Sequence, residues 1–215
     1  MQWIIKIVMK KAIVLILMGL LFMSSCEKED SEVVIKVYTG EKENSNVSVL
    51  SDGSVKLQLD MAGDYTHWYY YSFDEQKVTK SEVGTPEPDV WDLAFHRFDI
   101  KTNDMGVIAY SADAYDGISV IPAEGYVLDT ENDSIAVDMT DVMNGNIGYV
   151  HSHINQEISR FVTYSLESYP PVYTYHPKSF VLRTKNARFF KLKVLDWRNN
   201  SLTANLILEY KILNY

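Results

Sequence analysis

The stretch WDLAFHRFDIKTND, Trp91 to Asp104, sets Asp92, His96, Arg97 and Asp99 among large apolar residues. Its alternation reads as a strand over 90–103, because apolar and polar residues exchange every second position. On that reading Trp91, Leu93, Phe95, Arg97 and Asp99 share one face, and Asp92, Ala94, His96, Phe98 and Ile100 the other. Asp92 and His96 would then lie on one face, yet no serine sits on a G-x-S-x-G turn to complete a hydrolytic set. HEXXH, phosphate-loop and GxGxxG patterns are absent as well. We therefore read the polar residues of this strand as hydrogen-bonded parts of a scaffold, and the chain as no enzyme.

Outward from this stretch the same period recurs. VVIKVYTG (33–40), SVKLQLDM (54–61), RFVTYSLE (160–167), RFFKLKVLDW (188–197) and ANLILEYKI (204–212) alternate, with turn residues between them. THWYYYSFDEQKVTK (66–80) enters a polar segment as a strand, and YVLDTE and SIAVDMT are short strand candidates. Residues 141–158 read as polar and irregular, SADAYDGIS as a loop, and SYPPVYTYHPK as a proline-rich turn region. The last three strands are joined at Asn186 and at Asn199-Asn200. No segment sustains a 3.6-residue period. The expectation is an all-β, single sheet-rich domain of low helix content.

The N-terminus has a different character. Lys6, Lys10 and Lys11 precede the apolar run from Ala12 to Met23, and small residues lead to Cys26. That is the layout of an export signal, too short for a comfortable membrane span. Cys26 is the one cysteine in the chain, so it has no internal disulfide partner. Both features fit a bacterial lipoprotein, with residues 1–25 as signal peptide, Cys26 as the lipidated mature terminus, and 26–32 as an acidic linker before a β domain over 33–215. Acyl chains on Cys26 would attach the protein to a membrane. The acidic cluster Glu27 to Asp30 favours the outer membrane, facing outward. The formal charge is −9, and loss of the three leader lysines takes it to −12. That balance argues against nucleic-acid partners.

Two further groups could carry chemistry. His151 and His153 form an H-x-H pair, which would share a strand face, but the other ligands of a dedicated metal site are missing. Met139 and Met143 stand in polar, turn-like surroundings where a core filler is not needed, and a thioether can serve as an axial haem ligand.

Trp91 to Asn103 closely resembles the W-D-[IL]-A-F-H-R-x-D and T-N hallmark of the HmuY family, haem-binding lipoproteins of diderm bacteria. Tyr169-Pro-Pro-Val-Tyr-Thr, Val181-Leu-Arg-Thr-Lys-Asn and Lys191-Leu-Lys-Val resemble the family's C-terminal half. The resemblance implies a sheet-rich domain with haem held at one end between loops, by axial His or Met ligands, while the hallmark His stays in the scaffold. It also implies haem uptake from host or environmental haemoproteins and delivery to a TonB-dependent outer-membrane receptor. The axial candidates are Met143 and Met139 on one side, and His153, His151 or His176 on the other. Tyr169, at the family's Met position, is a candidate phenolate ligand. Segments 139–153 and 165–176, flanked by Tyr149, Tyr164, Tyr173 and Tyr175, could form facing jaws. Asn186 is expected to take the left-handed conformation of the family's R-T-x-x-G glycine turn. Aromatic richness also suits a surface module for a carbohydrate or another tetrapyrrole, or an accessory lipoprotein with a degenerate pocket.

Overall fold

The run HWYYYS explains how the layers are arranged. It forms β3 (His67–Ser72), paired on one side with β4 (Lys77–Glu82) and on the other with β5 (Leu93–His96). Trp68 to Tyr71 are all buried, at 0–3% exposure, so both faces of the strand are covered. Burial on both faces removes the usual polar alternation and permits four consecutive aromatics. Tyr69 and Tyr71 enter the main core, while Trp68 and Tyr70 enter a second cluster on the opposite face.

The computed structural model describes residues 45–61, 63–165, 171–200 and 203–214. Among them, β4-β3-β5 is extended by β6 (Asp99–Thr102) into a four-stranded antiparallel sheet. A six-stranded antiparallel sheet runs in the order β1 (Ser45–Val49), β2 (Val55–Asp60), β14 (Thr203–Leu213), β13 (Phe189–Asn200), β12 (Lys178–Arg183) and β7 (Gly106–Ser111). The two sheets share one core. Leu57, Leu59, Leu192, Leu206 and Phe180 come from the larger sheet, and Leu93, Phe95 and Ile100 from the smaller. Tyr71 and Tyr210 join the sheets through a buried hydrogen bond of 2.8 Å between their hydroxyls. Burial pushes the Tyr210 phenol up to about 12 and Tyr71 higher still, so both remain neutral donors and acceptors.

A third layer covers the outer face of the small sheet. β8 (Thr130–Asp138) and β9 (Gly148–Ile154) form a hairpin whose Ile135 and Ile154 pack on Trp68, Tyr70 and Trp91. The Asp129 carboxylate ties this hairpin to the end of β6. It accepts from Thr102 N (2.7 Å), Thr102 Oγ1 (2.7 Å) and Asn155 Nδ2 (3.0 Å). Lys101 is buried in the same cluster. Its Nζ lies 4.5 Å from the Trp68 ring and donates to Tyr70 Oη (3.0 Å) and Glu87 Oε1 (2.6 Å). A second hairpin, β10 (Val162–Ser165) and β11 (Val172–Tyr175), follows the one-turn helix Gln156–Ser159.

The all-β architecture agrees with the expectation, but several local readings do not. Residues 90–103 are not one strand. The chain reverses at Arg97-Phe98, with His96 opposite Asp99 and Phe95 opposite Ile100. Residues 148–154, expected to be irregular, form β9, and Val172–Tyr175, expected to be a turn region, forms β11. Ala112–Gly117 is a 3-10 helix rather than a loop. The expectation for 33–40, like those for residues 1–32, falls outside the described residues.

The β12–β13 turn carries another correction. The left-handed residue is Ala187 (φ 55°), not Asn186. Ala187 N donates to Thr184 O (3.0 Å), and Thr184 N to Arg188 O (2.9 Å), so the turn's own hydrogen bonds set the conformation. A Cβ in this region costs about 1–2 kcal/mol. Ala187→Gly is therefore expected to stabilise the domain by about 1 kcal/mol, raising the thermal midpoint by roughly 2–4 °C. Circular-dichroism melting checks this, and a lowered midpoint would contradict the strain assigned to Ala187.

Candidate functional site

The site is built from the turn that the sequence reading missed. Arg97 has φ 61° and Phe98 does not share the positive φ, which is the pattern of a type II′ turn with arginine where glycine is usual. What holds it is packing rather than local preference. Arg97 is 4% exposed, its guanidinium sits 4.1 Å above the Tyr65 ring, and it donates to the Tyr173 hydroxyl. Phe98 enters an aromatic group with Tyr164, Tyr173 and Trp197, at centroid distances of 5.8–6.1 Å.

Tyr65 is positioned by its neighbours. Asp64 Oδ1 accepts from Thr66 N (3.0 Å) and Thr66 Oγ1 (3.1 Å) and meets His67 Nδ1 at 2.9 Å. Asp64 Oδ2 accepts from Tyr69 Oη (3.0 Å) and Lys80 Nζ (2.7 Å). Burial alone would raise the Asp64 carboxyl, but these donors outweigh it and hold the group well below the usual carboxylate range. The Tyr65 carbonyl accepts from His96 Nε2 (2.8 Å). His96 is 1% exposed, and its Nδ1 lacks a hydrogen-bond partner among the described residues, with Asp99 Oδ2 at 3.6 Å.

Over this turn stand the two hairpins. From β8–β9 come Ser134, Ala136 and Tyr149, with Met139 and Ile147 from the connecting loop; from the other hairpin come Tyr164, Tyr173 and Pro171. Together with Tyr65 and residues 96–99 they line a cavity of about 100 Å³ that opens to solvent. That is smaller than the usual small-molecule pocket, about 300–1,000 Å³, so a large flat ligand would stand partly outside it or part the hairpins. Asp138 organises the Met139 loop by accepting from Thr140 N (2.9 Å) and Thr140 Oγ1 (2.7 Å), while Asp141 receives the side chains of Asn144 and Asn146. The Tyr173 phenol is raised by burial and by nearby Tyr65, against the lowering effect of Arg97, so it lines the cleft as a neutral group.

The HmuY family model matches residues 64–211, which includes every residue of this cleft. The chain belongs to the HmuY family. A solved protein from Bacteroides vulgatus, named as HmuY-like and haem-binding, shares 28% identity over 72% of this chain and 90% of its own, with a TM-score of 0.61. A solved protein from Bacteroides fragilis, named as a lipoprotein, shares 28% identity over 74% of this chain and 91% of its own, with a TM-score of 0.65. A Tannerella forsythia HmuY analogue in its apo form, 20% identical, shares the fold with a TM-score of 0.57, covering 74% of this chain and 96% of its own. No curated protein matches the chain.

Among the HmuY-type ligand candidates, Met139 lines the cleft. Met143 lies four residues on, in the 3-10 turn Val142–Asn144, and is 77% exposed. His151 and His153 alternate with Tyr149 along β9, all three exposed, and His151 pairs across the hairpin with Ser134 of the cleft wall. His176 stands apart. Its Nε2 meets Thr163 Oγ1 at 2.8 Å, and Thr163 pairs with Thr174, one position out of phase with the cleft-lining pair Tyr164 and Tyr173. Tyr169 and Cys26 lie outside the described residues. Among the described residues no three His, Cys, Asp or Glu side chains cluster to hold a bare metal ion, and no helix is long and apolar enough to cross a membrane. The sequence reading had set residues 96–99 aside as scaffold, and it did not single out Tyr65.

Asp64 gives a testable consequence. Its depressed carboxyl stabilises the fold above the ordinary carboxylate range, near 3.8, and that contribution is lost as pH falls below it. Asp64→Asn is expected to destabilise the domain by about 1 kcal/mol at pH 7, after allowance for solvent screening of a partly exposed group. The gap to wild type should narrow progressively as pH falls below about 4. Urea unfolding at pH 7 and pH 3 measures both, and a gap that stays constant with pH would contradict the assignment.

Proposed function

We propose that this chain is a surface lipoprotein that binds haem in the cleft between the β8–β9 and β10–β11 hairpins. The observation that carries the reading is the thioether Met139 in the wall of an aromatic-lined cleft, in a chain of the HmuY family. A flat apolar macrocycle suits such a slot, because its faces bury against rings and its iron takes soft or imidazole ligands. Met139 is the first ligand candidate. Met143 is its alternative on the same side, and the second ligand comes from His151 or His153, or from Tyr169, which lies outside the described residues. His176 is the weakest candidate, since it is engaged with Thr163. The 28% identity to a protein named as haem-binding supports the same reading.

On this proposal Cys26 is lipidated after removal of residues 1–25, and the acidic linker sets the domain outside the outer membrane. Haem taken from host or environmental haemoproteins passes to a TonB-dependent receptor. A cleft that lies between two hairpins, rather than inside the sandwich core, supports a carrier that must release its cargo.

Titration of the full chain with haem tests the reading. A Soret shift at micromolar haem is expected. Met139→Ala should weaken binding by about ten-fold or more, since even the partners of a metal ligand contribute 10–100-fold. The reduced-form bands should change with it. Absence of a Soret shift in both oxidation states would overturn the haem reading. Retention on a carbohydrate affinity gel without a Soret shift would favour a glycan-binding module.

A further inference from the structure

We propose that Arg97 receives a carboxylate of the bound ligand, so that the acidic edge of a tetrapyrrole lies against the β5–β6 turn. The inference rests on the haem reading of the cleft and adds an orientation to it.

The position comes first. Arg97 lines the cleft at the turn where the small sheet ends. Its backbone takes φ 61°, a conformation that glycine adopts freely and an arginine adopts at a cost. Such strain persists where surrounding structure over-determines it, and it concentrates at ligand-holding positions. Here the surroundings are the Tyr65 ring at 4.1 Å and the Tyr173 hydroxyl. Tyr65 is in turn fixed on both sides, through the Asp64 hydrogen bonds to Thr66 and through His96 Nε2 at its carbonyl. The guanidinium is therefore immobilised before any ligand arrives.

The chemistry follows. Guanidinium is permanently charged and presents its N–H donors as a fork that matches a carboxylate. Haem carries two propionate carboxylates, and a chain of formal charge −9 repels such a ligand unless a local cation offsets the field. The other charged group in the cleft is Asp99, whose Oδ2 lies 3.6 Å from His96 Nδ1. Arg97 is thus the permanent cation of the lining, held rigid in a partly dehydrated wall where a charge-assisted hydrogen bond is strong. A preorganised donor loses little entropy on binding, which is how one arginine can fix the in-plane rotation of a flat ligand.

The test compares ferric protoporphyrin IX with its dimethyl ester, titrated against the full chain and against Arg97→Gln, with Soret absorbance as readout. In the wild type the free acid should bind about ten- to a hundred-fold more tightly than the ester, the size of a charge-assisted hydrogen bond. In Arg97→Gln that ratio should collapse toward one, because the ester's own apolarity cancels between the two proteins. Equal affinities for acid and ester in the wild type would overturn the proposal and leave the haem reading standing. A ratio preserved in a folded Arg97→Gln, as judged by circular dichroism, would overturn it too. No Soret change with either porphyrin overturns the haem reading itself. Should Arg97→Gln not fold, the wild-type ratio decides alone.

Discussion

The burial of β3 on both faces is the constraint from which the remaining architecture follows. A strand with aromatics at four successive positions exposes apolar surface on two sides, and a two-layer sandwich can cover only one. The six-stranded sheet takes Tyr69 and Tyr71; the β8–β9 hairpin must take Trp68 and Tyr70. This hairpin is anchored where Ile135 and Ile154 meet the aromatic cluster, and its β8–β9 connection contributes Met139 and Ile147 to the cleft wall. The cleft is thus a consequence of layering. One wall is the far part of a hairpin whose base is needed for the core, and the floor is the turn of the sheet it covers.

How much of this could be read from residues alone depended on exposure. β2 and the two long strands β13 and β14 have one face in the core, so their alternation was plain. β3 is buried twice and its period vanishes, though aromatic content still marked it as a strand. β9 was missed for the opposite reason. GYVHSHI is half exposed throughout except at Ile154, and its neighbours Asn144, Gly145 and Asn146 carry turn chemistry that hides the strand. The expectation of facing jaws over 139–153 and 165–176 rested on aromatics at their edges, and Tyr149, Tyr164 and Tyr173 do line one cleft. The residues on the cleft floor were not legible, because nothing in the letters R-F announces a two-residue turn. Its signal is a tertiary one, the Tyr65 ring and the Tyr173 hydroxyl that hold Arg97.

Cations placed near rings recur in this acidic chain. Lys101 sits among Trp68, Tyr70 and Trp91 with Glu87 as its counter-charge, and Arg97 sits beneath Tyr65 with the Tyr173 hydroxyl. The two belong to one hairpin, four residues apart, yet they serve different ends. Lys101 is closed into a packed cluster, and burial pulls its ammonium below the ordinary range against the pull of Glu87. Its role is to satisfy Tyr70 and to tie down the segment that carries Glu87. Arg97 lines an open space instead, and guanidinium keeps its charge wherever it is placed. A lysine there would be a mobile point charge; the arginine is a fixed plane stacked on a ring.

The comparison of Arg97 with Ala187 separates strain that is tolerated from strain that is held. Both residues occupy left-handed backbone with a Cβ present, and both close a hairpin between adjacent strands. At Ala187 the side chain is exposed and a methyl group makes little use of its position, so the conformation is set by the turn's own hydrogen bonds, including Arg188 N to Thr184 Oγ1. At Arg97 the side chain is buried in a network that also fixes Tyr65 and Tyr173. Glycine at 187 would remove a steric penalty and nothing else. Glycine at 97 would relieve the same penalty while emptying the space under Tyr65 and removing the cation from the cleft floor. The net effect there is set by packing and charge, which exceed the local term. That asymmetry is why this segment can form the floor of the cleft: its turn is held by what packs on it, not by what the turn itself prefers.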